Sequence, residues 1–370
     1  MMKKLFSKTR KYVPLYSLIV FLLTLISLVV FLFVINFEEF ANFFNYHLSY
    51  PTRVMITWLT VVFPFSVAEI VIFLLPLILG FLIFLAVKMG KKGRVSSIKY
   101  LTVILSVPCL IFVTFVWTYS SGYHMTEIDE KMNLDRESVK KEELYNAYKI
   151  IVDEMNRLAD YVEYDESGAS VMPYSYSEMS NKICEAYNSF VKKHPVLQTF
   201  YSKIKPLIIS EPMTYTHLSG IYSFMSGEAN VNVNYPDFVV ATSSAHEMAH
   251  QRGIARENEC NFIAFAVLLE SEDPFLRYSA YLDVFPNVLN ALHDEDPSLV
   301  SSVPLDARIV GDRRSYSKFF DKYRDSVASE IADSINNSYL QANGQTEGTK
   351  TYGMITENVC AYVLGKFKVN

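Results

Sequence analysis

Three long apolar runs decide the first third of this chain. Leu15 to Ile35 contains Ser and Thr but no charge, and about 20 such residues in a helix match the hydrocarbon thickness of a bilayer. Val67 to Val87 contains one carboxylate, Glu69, and Tyr100 to Tyr119 contains Pro108 and no charge. Lipid offers no hydrogen bonds, so each run must satisfy its own backbone as a helix. Lys3, Lys4, Lys8, Arg10 and Lys11 precede the first run. A secretory leader begins the same way, but this run is too long and no clear small-residue cleavage site follows, so it reads as a retained anchor. Ser66 with Glu69 three residues later forms a capping box, which puts Glu69 at the entrance of the second span. Pro108 is expected to kink the third.

The basic residues set the direction of crossing. Lys88, Lys91, Lys92, Arg94 and Lys99 lie between or beside the second and third runs, whereas the first connection sets Arg53 against Glu38 and Glu39. The positive-inside rule makes the N-terminus and the basic loop cytoplasmic. Three crossings then deliver everything after Tyr119 to the outer face. The first connection, with Phe40, Phe43, Phe44, Tyr50 and Trp58, reads as an interfacial segment on that face. The expected organisation is a membrane region over 1–120 and an extracytoplasmic domain over 121–370.

That domain is acidic. Eleven basic and three acidic residues precede position 120, out of 34 and 39 in the chain, which leaves the domain near −13. Such a balance argues against nucleic acid or anionic lipid as its partner. Cys184, Cys260 and Cys360 are odd in number and form no CxxC pair, so they make no disulfide framework. Glu142 to Tyr164 places Leu144, Tyr148, Ile151, Met155, Leu158 and Val162 at helical steps. Tyr176–Lys193, 195–204, 316–340 and 355–367 are read as further helices, and 273–293, aromatic and apolar, as a segment packed beneath the metal site. One segment reads as a strand: Gly227 to Asn234 alternates small or apolar residues with mostly asparagine. The domain is thus expected to be mainly α, α+β in class, with a small sheet.

The chemistry concentrates at His246-Glu247-Met248-Ala249-His250. On a helix, residues four apart share a face, so both imidazoles can reach one ion. Glu247 stands one residue past the first, where its carboxylate can serve as the base of a zinc hydrolase. Thr242, Ser243 and Ser244 are N-cap candidates, and Gly253 can end the helix in the left-handed conformation. Two glutamates follow, Glu257 and Glu259, as candidates for a third ligand. On a helix Glu257 and Asn261 face the same way, while Glu259 lies about 200° round from Glu257.

Several motifs together resemble a known family. Arg256 to Asn261 is similar to the E-x-x-A-[DN] signature of glutamate-type zincins, with Cys260 where alanine is usual. That resemblance implies a zinc ligand at Glu257 and an imidazole-orienting partner at Asn261. Phe63-Pro64-Phe65-Ser66, Gly227-Glu228-Ala229-Asn230, His250-Gln251-Arg252-Gly253 and the ending Tyr339 to Gln345 with Thr351-Tyr352-Gly353 resemble a bacterial domain-of-unknown-function family. Its members are three-span membrane proteins grouped with HExxH metallopeptidases, and the resemblance covers nearly the whole chain. It implies a zincin-like domain carrying one Zn²⁺ in a bacterial cell membrane. It also implies an edge strand at Ala229, Asn230, Val231 and Asn232 on which an extended substrate could pair. Tyr352 and His217 are conceivable transition-state donors.

The expected function is hydrolysis of peptide bonds in a peptide or protein substrate outside the cytoplasm. Two other readings stay open: a zinc-stabilised receptor or scaffold without turnover, and a hydrolase of non-peptide cell-wall amides. The sequence leaves the oligomeric state open.

Overall fold

The computed structural model describes residues 10–348, 350 and 355–368. It is mainly helical, with three membrane-length helices at its start and two small sheets. Those helices are α1 (Leu15–Asn36), α4 (Val67–Lys91) and α5 (Arg94–Thr118). The last two run further toward the basic loop than expected, so that loop shrinks to a turn with Gly93 at φ 98°. α1 packs along α5, where Trp117 Nε1 donates to Ser27 Oγ at 3.0 Å. Most outward residues of all three helices are large, apolar and exposed, the surface expected of helices whose solvent is lipid.

The first connection is helical, α2 (Glu38–Phe44) and α3 (Tyr50–Thr60) joined through a π turn. Its two faces are inverted relative to a water-soluble helix. Met55, Trp58, Leu59 and Val62 are exposed, while Asn45, Ser49, Arg53, Thr57 and Thr60 are buried against the rest of the protein. At Ser66 the capping box forms only in part. Ser66 Oγ accepts from the Glu69 amide at 3.1 Å, but the Glu69 carboxylate turns to the Ile209 amide at 2.8 Å. The N-terminus of α4 is completed from a distance by Glu228, which accepts from the amides of Val67 and Ala68, both at 3.0 Å.

Past Tyr119 the chain builds α6 (Lys141–Leu158) and α7 (Tyr176–Lys193), then α8 (Asp237–Gln251), α9 (Glu257–Leu268) and α10 (Pro274–Glu295). α11 (Ala307–Asp321), α12 (Val327–Ala342) and α13 (Thr356–Lys368) follow. Strands β1 (Glu163–Tyr164) and β2 (Ser170–Val171) form a hairpin; β3 (Ile204–Pro206), β4 (Gly220–Ser223) and β5 (Glu228–Val231) form the second sheet. α8 lies at the centre, every residue from Phe238 to Gln251 buried, packed by α9, α10, α7 and the sheet. A helix covered on all sides needs no polar face.

Four expectations fail locally. Residues 195–204 are not a helix; they run as turn and extended chain into β3. The helix expected over 316–340 is two, because Ser326 stops the run and caps α12 by accepting from the Ala328 amide. α8 starts at Asp237, so Thr242, Ser243 and Ser244 are not its cap. Thr242 and Ser244 instead donate to the carbonyls of Val239 and Val240 in the turn before, as hydroxyls inside helices do. Finally, β5 is no edge strand. It pairs with β3 in parallel and with β4 antiparallel, in the order β3-β5-β4.

The reason lies in the asparagines. They do not face water: Asn230 Nδ2 donates to the carbonyls of Ile221 and Glu228, and Asn232 Nδ2 to Thr214 Oγ1 and the Leu218 carbonyl. With its donors engaged, a buried amide can be held inside the sheet and not on its wet face.

Candidate metal centre

The one-turn spacing on α8 brings His246 Nε2 to 3.0 Å from His250 Nε2. α8 ends at Gln251, and the chain reverses two residues on at Gly253, whose φ of 99° only glycine adopts readily. This reversal carries the Ile254 carbonyl back onto His250 Nδ1 at 2.9 Å. It also delivers α9 with its first residue, Glu257, aimed at the histidines. Glu257 Oε2 lies 3.1 Å from His246 Nε2 and 3.3 Å from His250 Nε2. One turn on, Asn261 Oδ1 lies 2.6 Å from His246 Nδ1.

These partners fix the tautomers. A carbonyl oxygen only accepts, so the proton of each ring sits on Nδ1, donated to Asn261 or to Ile254. The Nε2 lone pairs of both rings and the Glu257 carboxylate therefore converge on one point. Three such atoms at 3.0, 3.1 and 3.3 Å are held together by positive charge: a proton, which despite burial Cys260 and Glu257 favour on His250, or a metal ion in its place. A tetrahedral zinc with bonds of about 2.0–2.2 Å spaces its ligands about 3.3–3.6 Å apart, so the triangle needs to open by only about 0.3 Å to hold one.

The described residues offer a second grouping. His246, His250 and Cys260 place ligand atoms within 4.8 Å of one another, so this cluster too could bind a metal ion. Cys260 Sγ, however, is 3.2 Å from Nδ1 of His250, the nitrogen that already faces Ile254 and, at 2.9 Å, the Tyr119 hydroxyl. Burial pushes its thiol up to about 12, which keeps it a protonated small hydrophobe. The sulfur packs behind the imidazole, and Glu257 takes the side where the Nε2 lone pairs point. Glu259 turns away as its helical offset requires. It is buried and accepts from the Ile128 amide at 3.0 Å and Arg256 Nη1 at 2.8 Å.

Glu247 lies beside the cluster and lines a cleft of about 1260 Å³ walled by β4, α8, α11 and α12. Burial raises its pKa; the two histidines and the Tyr222 amide, which donates to it, pull the other way. Burial would also raise Glu257, but His250 and His246 outweigh it and hold that carboxyl well below the usual range. The fit between Glu247 and β4 is close: a Cβ on Gly220 would stand 2.6 Å from Glu247 Oε1.

The strand facing this cleft is β4, the free edge of the sheet. The Ser219 and Ser223 carbonyls bond toward the β5 side, so by strand alternation the backbone groups of Gly220 and Tyr222 point to the cleft. The pairing edge expected at Ala229 to Asn232 is thus displaced by one strand. Of the two conceivable donors, Tyr352 lies outside the described residues. His217 does line the cleft, but its Nε2 donates to the Tyr323 carbonyl at 2.8 Å.

Sequence reasoning missed Tyr119 and Tyr339. Tyr119, read as the last residue of the third apolar run, follows the last residue of α5, and its hydroxyl touches His250. Tyr339, on α12, lines the cleft beside the cluster and packs against Tyr123, ring centroids 6.3 Å apart. Nothing in the local sequence marks Tyr119, whereas Tyr339 opens the Tyr339–Gln345 motif, which singled it out without giving it a role.

The molecule is thus a helical protein with three membrane-length helices and a His–His–carboxylate cluster in a cleft beside the last of them. It belongs to the DUF3810 family of proteins of unknown function, whose model matches residues 44–359. No curated protein and no solved structure matches it.

Proposed function

We propose that the protein is a membrane-anchored zinc peptidase of the glutamate-ligand zincin type, acting on the outer face of the membrane. The observation that carries this reading is the convergence of His246 Nε2, His250 Nε2 and Glu257 Oε2 on one point at the side of an open cleft, with Glu247 next to them. Zn²⁺ suits two neutral imidazoles and one carboxylate, and when bound would supply Lewis-acid polarisation of a carbonyl.

The chain's own residues do the rest. Asn261 and Ile254 orient the two imidazoles through Nδ1, as partners of metal-bound histidines do. Glu247 takes a proton from the attacking water and hands it to the leaving amine. Its raised pKa suits a group that must hold that proton between the two steps. The outward carbonyls of Gly220 and Tyr222 offer an extended peptide a strand edge to pair with, the Tyr222 amide being taken by Glu247, and the Tyr339 hydroxyl is a candidate donor to the oxyanion. A scaffold without turnover has no use for a buried carboxylate beside an open coordination position, and structural zinc sites favour a fourth protein ligand. The acidic first connection and the basic loop support the outer location.

Glu247→Gln tests the reading. The variant should fold and bind about one zinc per chain, while hydrolysis of any substrate the native protein cleaves falls ~10²- to 10⁴-fold. Full activity in this variant excludes Glu247 as the base. Absence of cleavage by the native protein across broad peptide and cell-wall substrates favours the scaffold.

A further inference from the structure

The cluster lies at the end of a membrane span. Thr118 closes α5, and the hydroxyl of the very next residue, Tyr119, stands 2.9 Å from Nδ1 of His250. Arg53, in the connection between the first two spans, is 1% exposed. It donates to the Thr118 carbonyl at 3.0 Å, to Asn45 Oδ1 at 3.0 Å and to the Arg252 carbonyl at 3.3 Å. One guanidinium therefore ties the end of α5 to the end of the helix bearing both histidines.

The edge strand starts from the same level. The turn between β4 and β5 hangs on α3, with Thr57 Oγ1 donating to the Gly227 carbonyl at 2.9 Å and Thr60 Oγ1 to that of Ser226 at 3.0 Å. The opposite face of α3 carries Met55, Trp58 and Leu59, and Val62 just past its end is 73% exposed, which is the surface of a helix lying in the lipid boundary. Met225, on the turn, is exposed too. With α3 lying at the bilayer surface, β4 rises from it at Ser223 and meets Glu247 one and three residues on, at Tyr222 and Gly220. On α12 Ala332 and Ile335 give the cleft an apolar strip beside Asp333 and Asn336, with Ile335 one turn beyond the exposed Ile331.

We infer that the substrate is a juxtamembrane segment, a peptide chain still attached to its own transmembrane helix and cut within about ten residues of the bilayer, the reach of some 30 Å of extended chain. This rests on the peptidase reading. A chain leaving the lipid beside α3 can pair along β4 without bending back, and its first apolar side chains meet Ile335. A soluble peptide must reach the same strand past a bilayer surface.

The test uses the full-length, zinc-loaded protein in phosphatidylcholine vesicles, beside Glu247→Gln. The probe is a pool of fusions in which an apolar helix of about 22 residues is followed by about 40 residues of randomised sequence on the same side as the domain. A second pool lacks the helix. Randomisation samples every cleavage preference at every distance, and mapping cut positions by mass spectrometry separates nearness from the general gain of tethering. The expected result is at least ~10-fold more Glu247-dependent cuts in the ten residues nearest the bilayer than in the last ten, with the soluble pool cut more slowly still. Even cutting along the segment, or equal cutting of the soluble pool, overturns the juxtamembrane inference and leaves the peptidase reading standing. No Glu247-dependent cut in either pool overturns both.

Discussion

Removing the third ligand distinguishes two clusters that lie side by side, His246–His250–Glu257 and His246–His250–Cys260. The variants are Glu257→Ala, Cys260→Ala, Glu259→Ala and Asn261→Ala, each in full-length protein. Binding of structural zinc is worth about 10–16 kcal/mol at neutral pH. Spread over three protein ligands, roughly 3–5 kcal/mol goes with each, a loss of ~10²- to 10⁴-fold in affinity. Glu257→Ala should show a loss of this size, because it removes the one oxygen that lies 3.1 and 3.3 Å from the two Nε2 atoms. Asn261→Ala frees the His246 ring to rotate and change tautomer, and should cost about 10- to 100-fold. Cys260→Ala, which removes a thiol from behind His250, should lose far less than either. Glu259→Ala should keep its zinc but lose about 1–3 kcal/mol of stability, since the Ile128 amide and Arg256 lose a buried acceptor. Competition against a chromophoric chelator gives the affinities, and thermal unfolding gives the last effect. Zinc loss in Cys260→Ala with normal binding in Glu257→Ala would refute the assignment and install the sulfur as ligand.

Other expectations concern the base, the membrane junction and the topology. Gly220→Ala must displace the Glu247 carboxylate, which a Cβ would meet at 2.6 Å; kcat should fall ~10²-fold with zinc content unchanged, and an unaltered kcat would show that the strand does not position the base. Arg53→Met strands the carbonyls of Thr118 and Arg252 and the Asn45 side chain, at about 1–3 kcal/mol for each group left unpaired. Its melting temperature in detergent should drop by several degrees, and an unchanged value removes Arg53 as the tie between span and domain. A tag after Asn370 should be reached by impermeant reagents on intact cells and a tag at Met1 should not; the reverse pattern inverts the orientation. Cys184 is a poor substitute probe, being 5% exposed.

Much of this was legible from local pattern. The apolar runs became helices of membrane length, the form that a run must take where lipid leaves the backbone no other partner. The helix Tyr176–Lys193 was read to the residue, since Ser175 and Glu178 form a capping box at its start and Lys192 and Lys193 suit its end. The i, i+4 offset of the histidines and the opposed offsets of Glu257 and Glu259 also translate directly into geometry, because they are properties of the helix alone. What failed depended on partners distant in sequence. Alternating asparagines look like a wet strand face unless Thr214, Leu218 and Ile221 are known to meet them. Serines and threonines before a histidine look like a cap unless it is known that Pro236 and Asp237 already start the helix. The run over 316–340 has helical spacing throughout, and only the cap formed by Ser326 divides it.

The same distance hid the junction, although its signal was present. Asn45, Ser49, Arg53, Thr57 and Thr60 stand at steps of four, four, four and three in a segment otherwise rich in aromatic and apolar residues. On a helix those steps make one polar stripe. In water such a stripe faces out; at a lipid boundary it must face protein, and here every member of it is buried. The three sequence clusters around Ser66, Gly227 and Arg252 then find a common cause. Glu228 caps the helix that begins after Ser66. The Gly227 carbonyl accepts from both Thr57 and Gln251, at 2.9 and 2.7 Å. Arg53 accounts for the tight turn at Gly253, where an added Cβ would strike its guanidinium. Each cluster is one side of a contact between the membrane region and the helix that carries the histidines. The segment before Tyr119 therefore does more than supply three membrane-length helices: it builds the floor beneath the candidate metal centre, and the chain after Tyr119 is not expected to assemble that centre when expressed without it.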